Sequence, residues 1–222
     1  MNKCLLIAVI ITILLLFIIP SLIIVRMRQY SLLYPTYRTE RINLSLLYEK
    51  INTGDLILFV SPSYFPSSNI FTHSYFTHVG FIYKENNNIY LSESQNGTEL
   101  MPSRYGEIFM EKGAVRHLLL PRIKYYTGKI YIMKLKNSLP NSQHIIEYIK
   151  SLDGHPYPTA LDFFMSIFKP VKSRHCFQHV GNILNATMNF NLNISSPIQI
   201  CRDICVLHSE HYETPKEIIY DV

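Results

Sequence analysis

Tryptophan is absent from this chain of 222 residues, glycine occurs only 8 times, and charged side chains make up just 17%. Low charge beside 48% hydrophobic residues argues against a disordered chain, which has too little apolar surface to offset its ordering entropy. There is no block of lysine or arginine and no RNA-binding aromatic motif. The formal charge of +5 is spread along the chain, so a dedicated nucleic-acid binder is not expected. Cysteine is scarce as well, with 4 residues. A chain of this length buries a core without a disulfide scaffold. Cys4 lies inside an apolar run, and the other three cannot all pair within one chain, so at least one is a free thiol. No internal repeat is present, and no low-complexity tract beyond Asn86-Asn87-Asn88. The length suits one globular domain with a small appendage.

What the sequence does have is a long uncharged run, Cys4 to Val25. It exceeds the roughly 20 residues that span a bilayer core as a helix. A cleaved signal has a shorter apolar region and a small-x-small site, and no such site precedes Arg26. Residues 1–28 are therefore read as a retained transmembrane anchor that ties the chain to a lipid bilayer through residues 4–25. Arg26, Arg28, Arg38 and Arg41 outweigh Lys3, and the positive-inside rule puts the soluble part in the cytosol. Four Asn-x-Ser/Thr sequons (Asn43, Asn96, Asn185, Asn193) pull the other way, toward a lumen. In so Asn-rich a chain some arise by chance.

Residues 29–51 read as a polar, Tyr-rich connector, partly helical near Leu44–Ile51, and residues 52–222 as the domain. Asn52-Thr53-Gly54-Asp55 predicts a turn and Leu56–Val60 a buried strand. Ser61–Ser74 has no period and is read as a loop over a site. Thr77–Tyr83 and Ile89–Glu93 predict a hairpin around a Glu85–Asn88 turn. Val115–Leu120 and Lys129–Leu135 predict two more strands. Ile145, Ile146, Ile149 and Leu152 mark an amphipathic helix over Ser142–Leu152. Thr159–Phe168 predicts a second helix. Phe177, Val180 and Leu184 predict a third, starting at His175 or Cys176, and the tail from Ile198 predicts a short helix to His208. The pattern is α+β: an antiparallel meander followed by helices.

Two residues stand out chemically. A thiol in a helix's first turn, as Cys176 would be, feels the positive end of the macrodipole, and Arg174 and nearby imidazoles add to the effect. The alternative is a small buried hydrophobe. His78 sits on the first hairpin strand. If Lys84 pairs with Ile89, His78 faces Gln95 directly and Glu93 diagonally on one side of the sheet. A carboxylate there fixes the imidazole tautomer and supports its cation. A slip of one residue would remove Glu93 from that face.

Taken in order, Gly54-Asp55 before an apolar strand, Thr77-His78-Val79-Gly80, a strand ending at Glu93, Gly154-His155-Pro156-Tyr157, and Cys176 opening a helix resemble one family. It is the circularly permuted papain-like hydrolases of the NlpC superfamily, in the YiiX-like branch. Lecithin-retinol acyltransferase-like enzymes and some large-DNA-virus proteins are related to it. That kinship and the Asn- and Ile-rich chain suggest a viral source. The resemblance spans about Asn52 to Leu184. It implies a permuted papain-like fold, with an antiparallel sheet packed on the Cys176 helix. It implies Cys176 as nucleophile, His78 as base and Glu93 as orienting group, acting on an amide, ester or thioester. The oxyanion would be held by the Cys176 backbone N–H and one further donor. Substrates would be peptide or lipid acyl groups, and this chemistry needs no cofactor. The family's usual Cys-Ser-Glu-Leu-Val is Cys176-Phe177-Gln178-His179-Val180 here, a departure that bears on substrate contacts. The alternative is a catalytically silent papain-like module or a structural membrane protein.

A metal is not expected. Cys201, Cys205, His208 and His211 are ligand types, but their spacing does not match a zinc finger. His175, Cys176 and His179 supply only three ligands.

Overall fold

A computed structural model describes residues 12, 40–60, 76–97, 101–102, 108–109, 112–137, 139, 142–159, 162, 175–194, 203–204 and 210–219. The strands are β1 (Arg41–Asn43), β2 (Leu56–Val60), β3 (His78–Glu85), β4 (Asn88–Gln95), β5 (Met101–Pro102), β6 (Ile108–Phe109), β7 (Gly113–Leu118), β8 (Lys129–Met133) and β9 (Lys216–Ile219). The helices are α1 (Leu44–Lys50), α2 (Leu119–Lys124), α3 (Ser142–Ser151) and α4 (Cys176–Met188). Seven strands form one sheet in the order β1-β9-β8-β2-β3-β4-β7, and β5 pairs with β6 separately. The class is mixed α+β, with helices against both sheet faces.

Period-two alternation decides what each face buries. Leu56, Leu58, Val79, Phe81, Tyr131 and Met133 point to one side and pack with Ile145, Ile149, Phe177, Val180, Ile183 and Leu184 of α3 and α4. Ile57, Phe59, Ile82, Leu91, Ile130 and Ile132 point to the other and pack with Leu44, Leu47, Leu119 and Ile123 of α1 and α2. The central strand β2 is therefore buried on both faces, as its uninterrupted LILFV requires.

Several expectations shift. The sheet is not wholly antiparallel, because β1 pairs with β9 in parallel. One comes from each end of the domain, so no tight hairpin joins them and their directions are free to agree. Both β1 and α1 lie in the stretch expected to be a connector, and they are built into this sheet edge. The hairpin loop is two residues rather than four: Glu85 pairs with Asn88, and Asn86 and Asn87 take φ of 48° and 65°. Asparagine tolerates this left-handed region, which two-residue hairpin turns require. The register is the expected one, with Lys84 opposite Ile89. The strand expected over Val115–Leu120 ends at Leu118, and Leu119 and Leu120 open α2. Pro121 has no N–H to give a ladder, yet fits the first turn of a helix. The strand β9 and the β5–β6 pair were not expected.

Gly54 and Gly113 need to be glycines. Both have φ near +100°, and a Cβ on Gly113 would lie 2.3 Å from the His155 carbonyl oxygen. There the Gly154-His155 turn closes on the outer edge of the sheet, with Ala114 N–H donating to His155 O at 2.8 Å and Gly154 N–H to Ala114 O at 2.9 Å.

The expected loop 61–74 and anchor 1–28 lie outside the described residues, apart from Thr12, as does most of the 198–208 tail, with Cys201, Cys205 and His208. Of the expected helix 159–168 only the start is described. Thr159 and Asp162 exchange reciprocal side chain–backbone bonds at 3.0 and 3.1 Å, a capping box that begins a helix. Among the described residues, no helix is long and apolar enough to cross a membrane.

Candidate active site

Cys176 is the first residue of α4, as the hydrophobic period predicts. His175 is extended at the N-cap, and Gln178 at the third helical position accepts the His175 N–H through Oε1 at 3.3 Å. The Gln178 amide also donates to Ile194 O at 2.9 Å. Gln178 is thus occupied in capping the helix, a task glutamine and glutamate share. This fixes the thiol in the first turn, where the helix dipole favours a negative charge.

His78 is the first residue of β3, so its ring sits at the end of the sheet, 17% exposed. Its Nε2 is 2.6 Å from Oε2 of Glu93, which is fully buried on β4. The diagonal relation expected from the register is therefore a direct contact. The ring is also electrostatically linked to the Cys176 thiol, each group shifting the titration of the other. Phe59, paired with His78 across β2 and β3, lies 5.4 Å from the ring and limits its rotation.

The electrostatics follow from these contacts. Burial disfavours an imidazolium, but the thiolate first, and then the Glu93 hydrogen bond and charge, raise the His78 pKa to about 10. Burial also disfavours a thiolate. The His78 charge, together with a hydrogen bond from His175, outweighs it and lowers Cys176 to about 6. Glu93 is held well below the usual carboxylate range: burial is outweighed by Arg122 and then by His78. These shifts favour a thiolate beside an imidazolium beside a carboxylate.

Two further residues of the cluster were missed in the sequence. Arg122 of α2 donates from Nε to Glu93 Oε1 at 2.7 Å and from Nη2 to Oε2 at 3.3 Å, and is 1% exposed. Its guanidinium lies 4.3 Å from the Phe59 ring centre and 5.3 Å from that of Tyr126. The signal was available. Leu119, Arg122 and Ile123 share one helical face, and an arginine on an otherwise apolar face needs a buried acid. His117 of β7 stands on the far side of β4, its Nε2 3.7 Å from Glu93 Oε1 and 3.4 Å from Gln95 Nε2. His175, one of the imidazoles expected near the thiol, adds to its shift. His179 lies elsewhere, bonded through Nε2 to Ser92 Oγ at 2.9 Å where α4 crosses β4. Among the described residues, no group of three or more His, Cys, Asp or Glu is arranged to hold a metal ion.

No family model and no curated protein matches the chain. Among solved structures, the metalloprotein yiiX from Escherichia coli O157:H7 (DUF1105) is a neighbour at 16% identity and a TM-score of 0.47, over 76% of this chain and 88% of its own.

Proposed function

We propose that this chain is a thiol hydrolase or acyltransferase of the permuted papain-like type, anchored in a membrane by residues 4–25 with its domain on the cytosolic side. The observation that carries the reading is the 2.6 Å contact of the His78 ring with the buried Glu93, with the Cys176 thiol at a helix start and electrostatically linked to that ring. Structural cysteines and histidines seldom combine burial, opposed charge and this order of partners.

The thiolate of Cys176 attacks an amide, ester or thioester carbonyl and a C–S bond forms. The carbonyl oxygen becomes an oxyanion, stabilised by the Cys176 backbone N–H at the helix start. As the tetrahedral species collapses, the imidazolium of His78 gives its proton to the leaving amine, alcohol or thiol. Water, or another acceptor, then attacks the thioester with His78 as base and regenerates the thiol. Glu93 keeps the ring's tautomer and orientation through both steps. The anchor would hold the site beside lipid, which favours acyl esters of lipids over peptide amides.

The test is a covalent adduct. Full-length protein in detergent is mixed with p-nitrophenyl esters of short and long acyl chains and with a peptide coumarylamide. The peptide holding Cys176 is then weighed for the added acyl group. The reading predicts an adduct that Cys176→Ala abolishes without loss of fold. A folded wild-type protein that forms no adduct with any of the three would favour a silent module on this fold.

A further inference from the structure

Glu93 is the junction of the buried cluster, and its partners come from β3, β7 and α2. His78 on β3 approaches Oε2 at 2.6 Å, Arg122 on α2 grips both oxygens at 2.7 and 3.3 Å, and His117 on β7 stands 3.7 Å from Oε1. Gln95 of β4 meets His117, and Cys176 and His175 of α4 lie beyond His78. Arg122, lying over Phe59 and near Tyr126, is 1% exposed. In the ion pair that the thiol-hydrolase reading requires, the order is thiolate, imidazolium, carboxylate, guanidinium. The signs alternate and the sum is zero, the condition under which buried charge is tolerated.

We propose that Arg122 is a positioning residue for the thiol site: it is the fixed countercharge that keeps Glu93 ionised and aimed at His78, and so lets Cys176 and His78 carry opposite charges at neutral pH. The inference rests on the thiol-hydrolase reading above. A lone buried carboxylate relieves itself by taking a proton, and would then no longer favour an imidazolium. Arginine suits the task because it stays charged at any working pH and holds both carboxylate oxygens at once. Without it the cluster carries a net negative charge, and every acid in it holds its proton more tightly, the thiol included.

The experiment follows iodoacetamide alkylation of Cys176 against pH in full-length protein, reading its peptide by mass spectrometry, with the fold checked by circular dichroism. Arg122→Gln is expected to raise the inflection by about one pH unit, so that alkylation below it slows about tenfold. Arg122→Lys keeps the charge and is expected to return the inflection to its wild-type position, even at lower stability. A merely structural arginine would change the amount of folded protein and leave the inflection alone. A folded Arg122→Gln protein with an unmoved inflection overturns the proposal. If Arg122→Gln does not fold, a folded Arg122→Lys whose inflection rises by a full unit overturns it instead, since packing rather than charge would then be responsible. A wild-type Cys176 with no depressed inflection would sink the thiol-hydrolase reading, and this inference with it.

Discussion

Asp55 and Glu93 are both sealed from solvent, both face a cation, and burial works against the charge of both. At Asp55 burial wins: the carboxyl is pushed up despite Lys134 and the backbone N–H groups of Asn52 and Leu135. At Glu93 the partners win and the carboxyl is pushed down. The difference lies in the cations. Lys134 reaches Asp55 Oδ2 at 2.7 Å from a partly exposed position and also contacts the Lys50 carbonyl. Arg122 is immobilised between aromatic rings, and His78 adds a second cation. Asp55 fastens the start of β2 to the end of β8, with Leu135 N–H donating to it at 2.9 Å. Glu93 borders a ring that borders a thiol. A buried acid alone therefore says little about function. What its partners do next is informative.

Substitutions at these two residues would break or sharpen the contrast. The largest effect is expected from Glu93→Gln, which strands Arg122 as a buried cation and should cost about 3–5 kcal/mol. Asp55→Asn should cost less, about 1–3 kcal/mol, because Lys134 can turn toward water and the amide oxygen still accepts one backbone N–H. Urea midpoints of the two variants decide the order. An Asp55→Asn loss that equals or exceeds that of Glu93→Gln would mean that the burial of the partner is not what separates the sites.

A smaller effect of opposite sign is expected in acid. The folded-state pKa of Glu93 is depressed, so its contribution to stability is complete above its ordinary value of 4.5 and is lost as pH falls. That of Asp55 is raised, so its contribution is complete below its ordinary value of 3.8 and is lost as pH rises through the folded value. Stability measured from pH 3 to 7 should therefore fall less steeply toward acid in Glu93→Gln than in wild type, and more steeply in Asp55→Asn. Parallel curves for the three proteins would remove the distinction.

The parts of the fold with a clean period were legible in the sequence. LILFV at β2, the β3–β4 register and the start of α4 at Cys176 all follow from alternation, from the Asn-rich turn and from helical spacing. The diagonal placement of Glu93 relative to His78 followed from the register alone, since pairing across a hairpin fixes which side chains share a face. What was not legible depends on distant chain. β9 is four residues long and finds its place only because β1 and β8 flank it. α2 is six residues long, and its leucines read as well in a strand until Pro121 is weighed. Arg122 and His117 were missed for the same reason: each is defined by the acid it meets across the sheet. The sequons illustrate the limit from another side. Asn185 uses both ends of its amide on Leu192, at 2.7 and 2.8 Å, and Asn43 caps α1, roles a tripeptide pattern does not reveal.

The account's central claim is that Cys176 rests as a thiolate because His78 stands beside it. It is tested most directly by alkylation rate against pH for Cys176 and Cys201 in the same native protein. The account predicts an inflection near 6 for Cys176 and none below about 7.5 for Cys201, an ordinary thiol titrating at about 8.5. In His78→Ala the Cys176 inflection should climb by about two units or more, since burial would then act unopposed by the imidazolium. A Cys176 that alkylates no faster than Cys201 at neutral pH, or an inflection indifferent to His78, would contradict it.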